Sequence, residues 1–216
     1  MVCLILAGLV VGAAAPAGQL RVDTWADHQI GPLDLSGTWR WYPVTERPAF
    51  KHPPAIVVDD GRRALRLATD GEPMRVGRTL SLDVKEKPRL VWEWKPLILP
   101  EGGDVRDRRR NDQAARVMLI FDGLKILAYV WDTQAPVGTE ARPDELEIFQ
   151  RVLIVVRSGG QGVGEWSAQR RDVYEDYRRV FGEAPGPLKW IGLESHSNDT
   201  RTRSSALFGS IRFEAR

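Results

Sequence analysis

The chain has 216 residues, enough for one domain with a sizeable core. With 43% apolar and 28% charged residues it falls in the range of ordinary water-soluble proteins. Its 31 basic and 29 acidic residues leave a net charge of +2, too even a balance for the concentrated basic face that a nucleic-acid partner requires.

Residues 1–17 form an apolar run that ends in small residues, with Ala13–Ala15 or Ala15–Ala17 offering small-x-small processing sites. This pattern predicts a signal peptide over 1–17 and a mature domain over 18–216, although the start carries no Lys or Arg. A membrane anchor needs about 20 apolar residues, so no stable membrane insertion is expected after processing. Cys3, the single cysteine, lies in this segment. A mature chain without it has no disulfide, no thiolate metal site and no cysteine nucleophile. The expected location is periplasmic or secreted.

From residue 18 onward, short β-prone runs alternate with Gly, Pro, Asp and Asn. Gly37–Tyr42 alternates and stops at Pro43. Ala55–Val58, Asp59-Asp-Gly61 and Ala64–Ala68 read as strand, tight turn and strand. Arg75–Asp83 is a further strand. In Arg89–Lys95, Leu90, Trp92 and Trp94 take one side and Val91, Glu93 and Lys95 the other. Val117–Phe121 and Leu124–Trp131 flank Asp122-Gly123 as a second hairpin, and Gln150–Val156 follows. The near-continuous apolar character of these runs predicts central strands covered on both faces. Glu165–Arg171 leads into Asp172–Gly182, where Asp172 and Glu175 stand in capping positions, an apolar stripe follows, and Gly182 gives the stop. Leu188–Glu194 and Ala206–Phe213 complete about ten strands. One helix is too little to cover a parallel sheet. The predicted class is therefore all-β, a jelly-roll-like two-sheet β-sandwich with one short helix near residues 172–181.

Four places carry polar chemistry. Residues 101–116 hold five arginines against four acidic residues, a local net of +1, between two strands. This is either a loop braced by Arg–Asp pairs or a ligand-contacting surface. In a strand geometry Asp112 and Arg116 share one face. The second place is the aromatic set: eight tryptophans, among which Trp92, Trp94 and Trp131, with Tyr129, either fill the core or form a stacking platform. The third is the segment 194–200, where Asn198 and Asp199 give a weak calcium signal and His196 lies between serines without a nucleophile elbow. Glu93, Asp112 and Glu194 form the fourth, as carboxylates that a glycoside-cleaving pair would need about 5–9 Å apart. His28, His52 and His196 have no zinc-like spacing, so neither a metal nor a cofactor is predicted.

Leu90–Lys95, Leu99–Asp104, Asn111–Val117, Leu127–Trp131, Val155–Ser158 and Gln169–Gly182, in this order, resemble a bacterial family of secreted proteins of unknown function, DUF3047. The resemblance spans about residues 55–213 and implies a secreted β-rich domain, with weight on the block 104–131. It implies no activity. The loop Ser195–Asp199 departs from the Asp-rich, glycine-containing turn of that family.

These features together predict a periplasmic binding or accessory module with a carbohydrate-like ligand or another envelope component as partner. The expected contacts are Asp112 and Arg116 as orienting groups, Arg157 as a third polar group, and Trp94, Tyr129 or Trp131 as stacking surfaces. Two alternatives stand beside it: a polysaccharide-active enzyme with a carboxylate pair, and a structural or protein-interaction domain.

Overall fold

A computed structural model of the chain describes residues 18–41, 50–143 and 150–216. The expected signal peptide lies outside the described residues. Among those described, the strands run in chain order as β1 (Gln19–Arg21), β2 (Gly31–Pro32), β3 (Arg40–Trp41), β4 (Ala55–Asp59), β5 (Arg62–Asp70), β6 (Pro73–Leu82) and β7 (Arg89–Ile98). They continue as β8 (Ala115–Phe121), β9 (Lys125–Asp132), β10 (Glu140–Ala141), β11 (Gln150–Ser158), β12 (Ser167–Asp172), β13 (Leu188–His196) and β14 (Arg203–Glu214). The helix α1 (Val173–Phe181) falls between β12 and β13.

Two sheets form a jelly-roll-like sandwich. Sheet A has the order β12-β7-β14-β5-β4-β2, with β1 also on β14, and sheet B has the order β10-β11-β9-β8-β13-β6-β3. All pairs are antiparallel except β9 and β11. Turn chemistry sets the local register. At the end of β4, Asp60 and Gly61 take φ of 48° and 74°, the left-handed pair that a two-residue hairpin requires. At the second Asp-Gly step, Gly123 and Leu124 are the left-handed residues, and this delays β9 to Lys125.

The core lies between the sheets. Trp92 and Trp94 point inward from β7 and meet Tyr129 and Trp131 of β9. Trp92 stacks on Tyr129 with centroids 5.2 Å apart, and Trp94 meets Trp131 edge-on at 6.2 Å. Each such ring buries about 150–250 Å², so this four-ring column is a main tie between the sheets. Sheet B is apolar on its outer face as well. There Met118, Ala128, Val130, Leu153 and Val155 are buried under Val105, Ala135 and Ala141.

The helix caps one end of the sandwich. The Asp172 side chain accepts from the Glu175 amide, and Gly182 ends the helix in the left-handed region. Val173, Tyr177 and Val180 face the core. The Tyr129 hydroxyl donates to Asp176 Oδ2 at 2.8 Å, and Arg171 donates to the same carboxylate. Burial and then the Asp176 charge push the Tyr129 pKa well above its ordinary value. No helix among the described residues is long and apolar enough to cross a membrane.

Candidate functional site

The charged insert between β7 and β8 folds back as a brace. Asp104 holds Arg106 through Oδ1 and Oδ2, and Asp107 accepts from the Arg109 amide and from Arg110. Val105 enters the outer apolar cluster of sheet B. The buried Asp132 carboxylate receives the amides of Val105, Gln134 and Ala135, which pins this insert to the next loop. Burial raises the Asp132 pKa despite these donors.

Asp112 and Arg116 are not the ligand contacts that their position suggests. Asp112 is fully buried, and its Oδ2 accepts from the amide and the hydroxyl of Thr200 at 2.7 and 2.8 Å. Arg116 is 1% exposed; its Nη1 donates to Glu194 Oε2 at 3.0 Å and its Nη2 to Gln113 Oε1. Both residues belong to the frame beneath a surface, because a shut-off group has no route to a ligand. The same reason removes Trp94, Tyr129 and Trp131 as stacking platforms, since all three are fully buried in the core. Arg157 is set apart from this network, its guanidinium 4.9 Å from the centroid of Trp131 at the ends of β9 and β11.

The strand register brings a different group together. Glu194 of β13 pairs with Arg75 of β6 on one side and Arg116 of β8 on the other. Arg75 Nε lies 2.5 Å from Glu194 Oε1, and His196 Nε2 lies 3.3 Å from Oε2. Burial by itself raises the Glu194 pKa, but Arg75 and Arg116 reverse the effect and hold it at about 2. Burial also pushes the His196 pKa well below its ordinary value, against the pull of Glu194. Arg75 and His196, with side chains 17% and 12% exposed, are the members that reach solvent.

Four residues along the same face, the indole of Trp190 lies over Gly77 of β6 and Gly192 of β13. A Cβ at Gly77 would fall 1.9 Å from Trp190 Cζ2, and one at Gly192 would fall 2.1 Å from Cζ3. Only hydrogen at these two positions lets the ring rest on the backbone. Trp190 is partly exposed, as are Ile120 of β8 and Arg151 of β11, while Thr79 is exposed. The resulting strip on the outer face of sheet B places an aromatic plane beside the Arg75–Glu194–His196 cluster. Spacing along the chain did not reveal it, because Gly77 and Trp190 meet only through strand pairing.

Asp112 and Glu194 are both fully buried, with Asp112 Oδ2 held by Thr200 and Glu194 held by arginines, so they do not face an open cleft as a carboxylate pair. No group of three or more His, Cys, Asp or Glu suited to a metal ion occurs among the described residues.

Among solved structures the chain is similar to a family 11 carbohydrate-binding module from Clostridium thermocellum, in complex with a β-1,3-1,4-mixed-linked tetrasaccharide, at 10% identity and a TM-score of 0.48 over 93% of this chain and 98% of that one. It is also similar to the xyloglucanase domain of NopAA from Sinorhizobium fredii, in complex with cellobiose, at 10% identity, TM-score 0.49, and 95% and 100% coverage. Endoglucanase cel12A from Rhodothermus marinus matches at 10% identity, TM-score 0.49, and 90% and 99% coverage. No curated protein matches the sequence. The model of one family covers residues 40–212, and the chain therefore belongs to the family described as protein of unknown function DUF3047.

Proposed function

We propose that the protein is a binding module for a hydroxyl-rich, carbohydrate-like ligand, taken up on the outer face of sheet B. The observation that carries this reading is the Trp190 indole seated over Gly77 and Gly192, on the same sheet face as the Arg75–Glu194 ion pair. A sugar ring offers an apolar C–H face and a rim of hydroxyls. The indole plane suits the first, and the partly exposed Arg75 and His196 suit the second. Glu194 and Arg116 act below the surface: they fix Arg75 and His196 in place, so that little side-chain entropy remains to be lost when a ligand arrives.

The reading is binding rather than cleavage because Glu194, held at about 2 and enclosed by arginines, cannot deliver a proton near neutral pH. Export to the periplasm or beyond is part of the same proposal, supported by the apolar run of residues 1–17. N-terminal sequencing of the exported protein is expected to show a start just after Ala15 or Ala17.

The test is isothermal titration of the purified protein with a panel of neutral oligosaccharides, repeated on Trp190→Ala. At least one glycan should bind the wild type and lose affinity about tenfold or more in the variant. A panel that binds nowhere, or binding that is indifferent to Trp190, rejects the reading.

A further inference from the structure

The opposite face of the sandwich carries a second built site. In β14 the register shifts between Phe208 and Ile211, so Gly209 and Ser210 form a bulge. Around it opens a groove of 480 Å³ lined by Trp25, Arg62, Arg63, Glu93, Gly209 and Ser210, among others. That volume lies within the roughly 300–1,000 Å³ typical of small-ligand sites.

The polar groups in this groove are oriented in advance. Glu93 Oε2 accepts from the Ser210 hydroxyl at 2.9 Å, and Oε1 accepts from Arg62 Nη1 at 3.2 Å. The Arg62 guanidinium sits 5.0 Å from the centroid of Trp166. Trp166 is itself fixed, since its Nε1 donates to Asp59 and its edge rests on Gly209, where a Cβ would approach Cζ3 to 3.0 Å. The groove therefore shows a cation and a carboxylate side by side, both held by neighbouring side chains. Adjacent hydroxyls on a ring match this pair, one accepting from Arg62 and the other donating to Glu93.

The charge count adds a requirement. The lining includes Arg21, Arg62 and Arg63 against Asp23 and Glu93, three positive groups to two negative. Arg21 pairs with Asp23 and Arg62 with Glu93. Arg63 donates to the carbonyls of Ala26 and His28, and no carboxylate pairs with it among the described residues. One guanidinium is left to take an anion from the ligand.

We propose that this groove is a binding site for an acidic saccharide of the uronic-acid type, with the carboxylate on Arg63 and vicinal hydroxyls on Arg62 and Glu93. The site is separate from the strip at Trp190 and does not depend on it.

The experiment is isothermal titration of the full chain with trigalacturonate and, as the neutral control, cellotriose. Wild type, Arg63→Gln, Glu93→Gln and Trp190→Ala are compared. Arg63→Gln keeps a side-chain amide near the two carbonyls while it removes the charge, and its exposed position spares the fold. Trigalacturonate is expected to bind more tightly than cellotriose in Trp190→Ala, where the neutral-glycan strip is removed. It should weaken about tenfold or more in Arg63→Gln and in Glu93→Gln, and remain unchanged in Trp190→Ala. The proposal is overturned if trigalacturonate does not bind, if cellotriose binds Trp190→Ala as tightly as trigalacturonate does, if Arg63→Gln has no effect, or if Trp190→Ala abolishes trigalacturonate binding. Failure here leaves the strip at Trp190 untouched, because that strip is read out by neutral glycans and by Trp190→Ala.

Discussion

Arg116 and Glu194 face each other across β8 and β13 with Nη1 3.0 Å from Oε2, and both are shut away from water. Two buried charges tolerate each other only while each keeps its partners; removal of one leaves the other desolvated and uncompensated. Arg116→Met is therefore expected to destabilise the protein by about 3 kcal/mol, at the lower end of the usual range because Arg75 still holds Glu194. Arg116→Lys should recover little, since a point charge cannot serve both Glu194 and Gln113 as the guanidinium does. Urea unfolding of the three proteins measures both effects.

Stability should fall in two steps on acidification. His196 has its pKa pushed well below 6.5 by burial, so the unfolded chain takes up a proton more readily than the folded one. Its contribution is fully present above the ordinary histidine value and declines as pH falls below it. Glu194 is depressed to about 2 from 4.5, so its contribution is present above 4.5 and is lost as pH falls toward 2. Thermal melts from pH 8 to pH 2 are expected to lose the upper slope in His196→Gln and the lower slope in Glu194→Gln. A profile that both variants share with the wild type contradicts this account.

The elements were largely legible because local chemistry decides them. Asp60-Gly61 requires left-handed backbone and gives the β4–β5 hairpin, and Asp172 with Gly182 brackets α1. Among the described residues, ten strands longer than three residues stand where about ten were expected, and the remaining pieces β1, β2, β3 and β10 have two or three residues each. The candidate site was less legible. Alternation puts Trp92 and Trp94 on one side of β7, but a period of two does not say which side is the core. Asp112 and Arg116 were expected as ligand contacts because alternation puts them on one face, but alternation does not show that Thr200, Gln113 and Glu194 close over them. Trp190 was invisible as a platform because its two glycines lie on β13 itself and on β6, more than a hundred residues earlier.

The helix is tied to the core through one hydroxyl. Tyr129→Phe removes the donor at 2.8 Å from Asp176 while Arg171 and Arg179 still satisfy the carboxylate, and should cost about 1 kcal/mol. Asp176→Ala leaves the buried Tyr129 hydroxyl without its acceptor and releases both arginines, so it should cost clearly more, about 2–3 kcal/mol. Equal losses in the two variants, measured by chemical denaturation, would falsify the ordering.

Gly192 and Gly77 look alike beneath Trp190 but should behave differently when the ring is removed. The three atoms nearest to a methyl at position 192 all belong to the Trp190 side chain, with Cζ3 at 2.1 Å and Cη2 at 2.6 Å. A methyl at position 77 meets the same indole and also the Ile191 carbonyl oxygen at 2.5 Å, which belongs to the paired strand and cannot swing aside. Gly192→Ala alone should therefore cost about 1–3 kcal/mol through displacement of the ring. In the Trp190→Ala background that cost should nearly vanish, which gives a coupling energy of similar size. Gly77→Ala should remain costly in both backgrounds because the carbonyl clash persists. A double-mutant cycle by urea unfolding separates the two positions, and tryptophan fluorescence of Gly192→Ala should report the displaced ring. Loss of coupling at position 192 would mean that the indole does not rest on that glycine, and the platform on which the proposed ligand site depends would go with it.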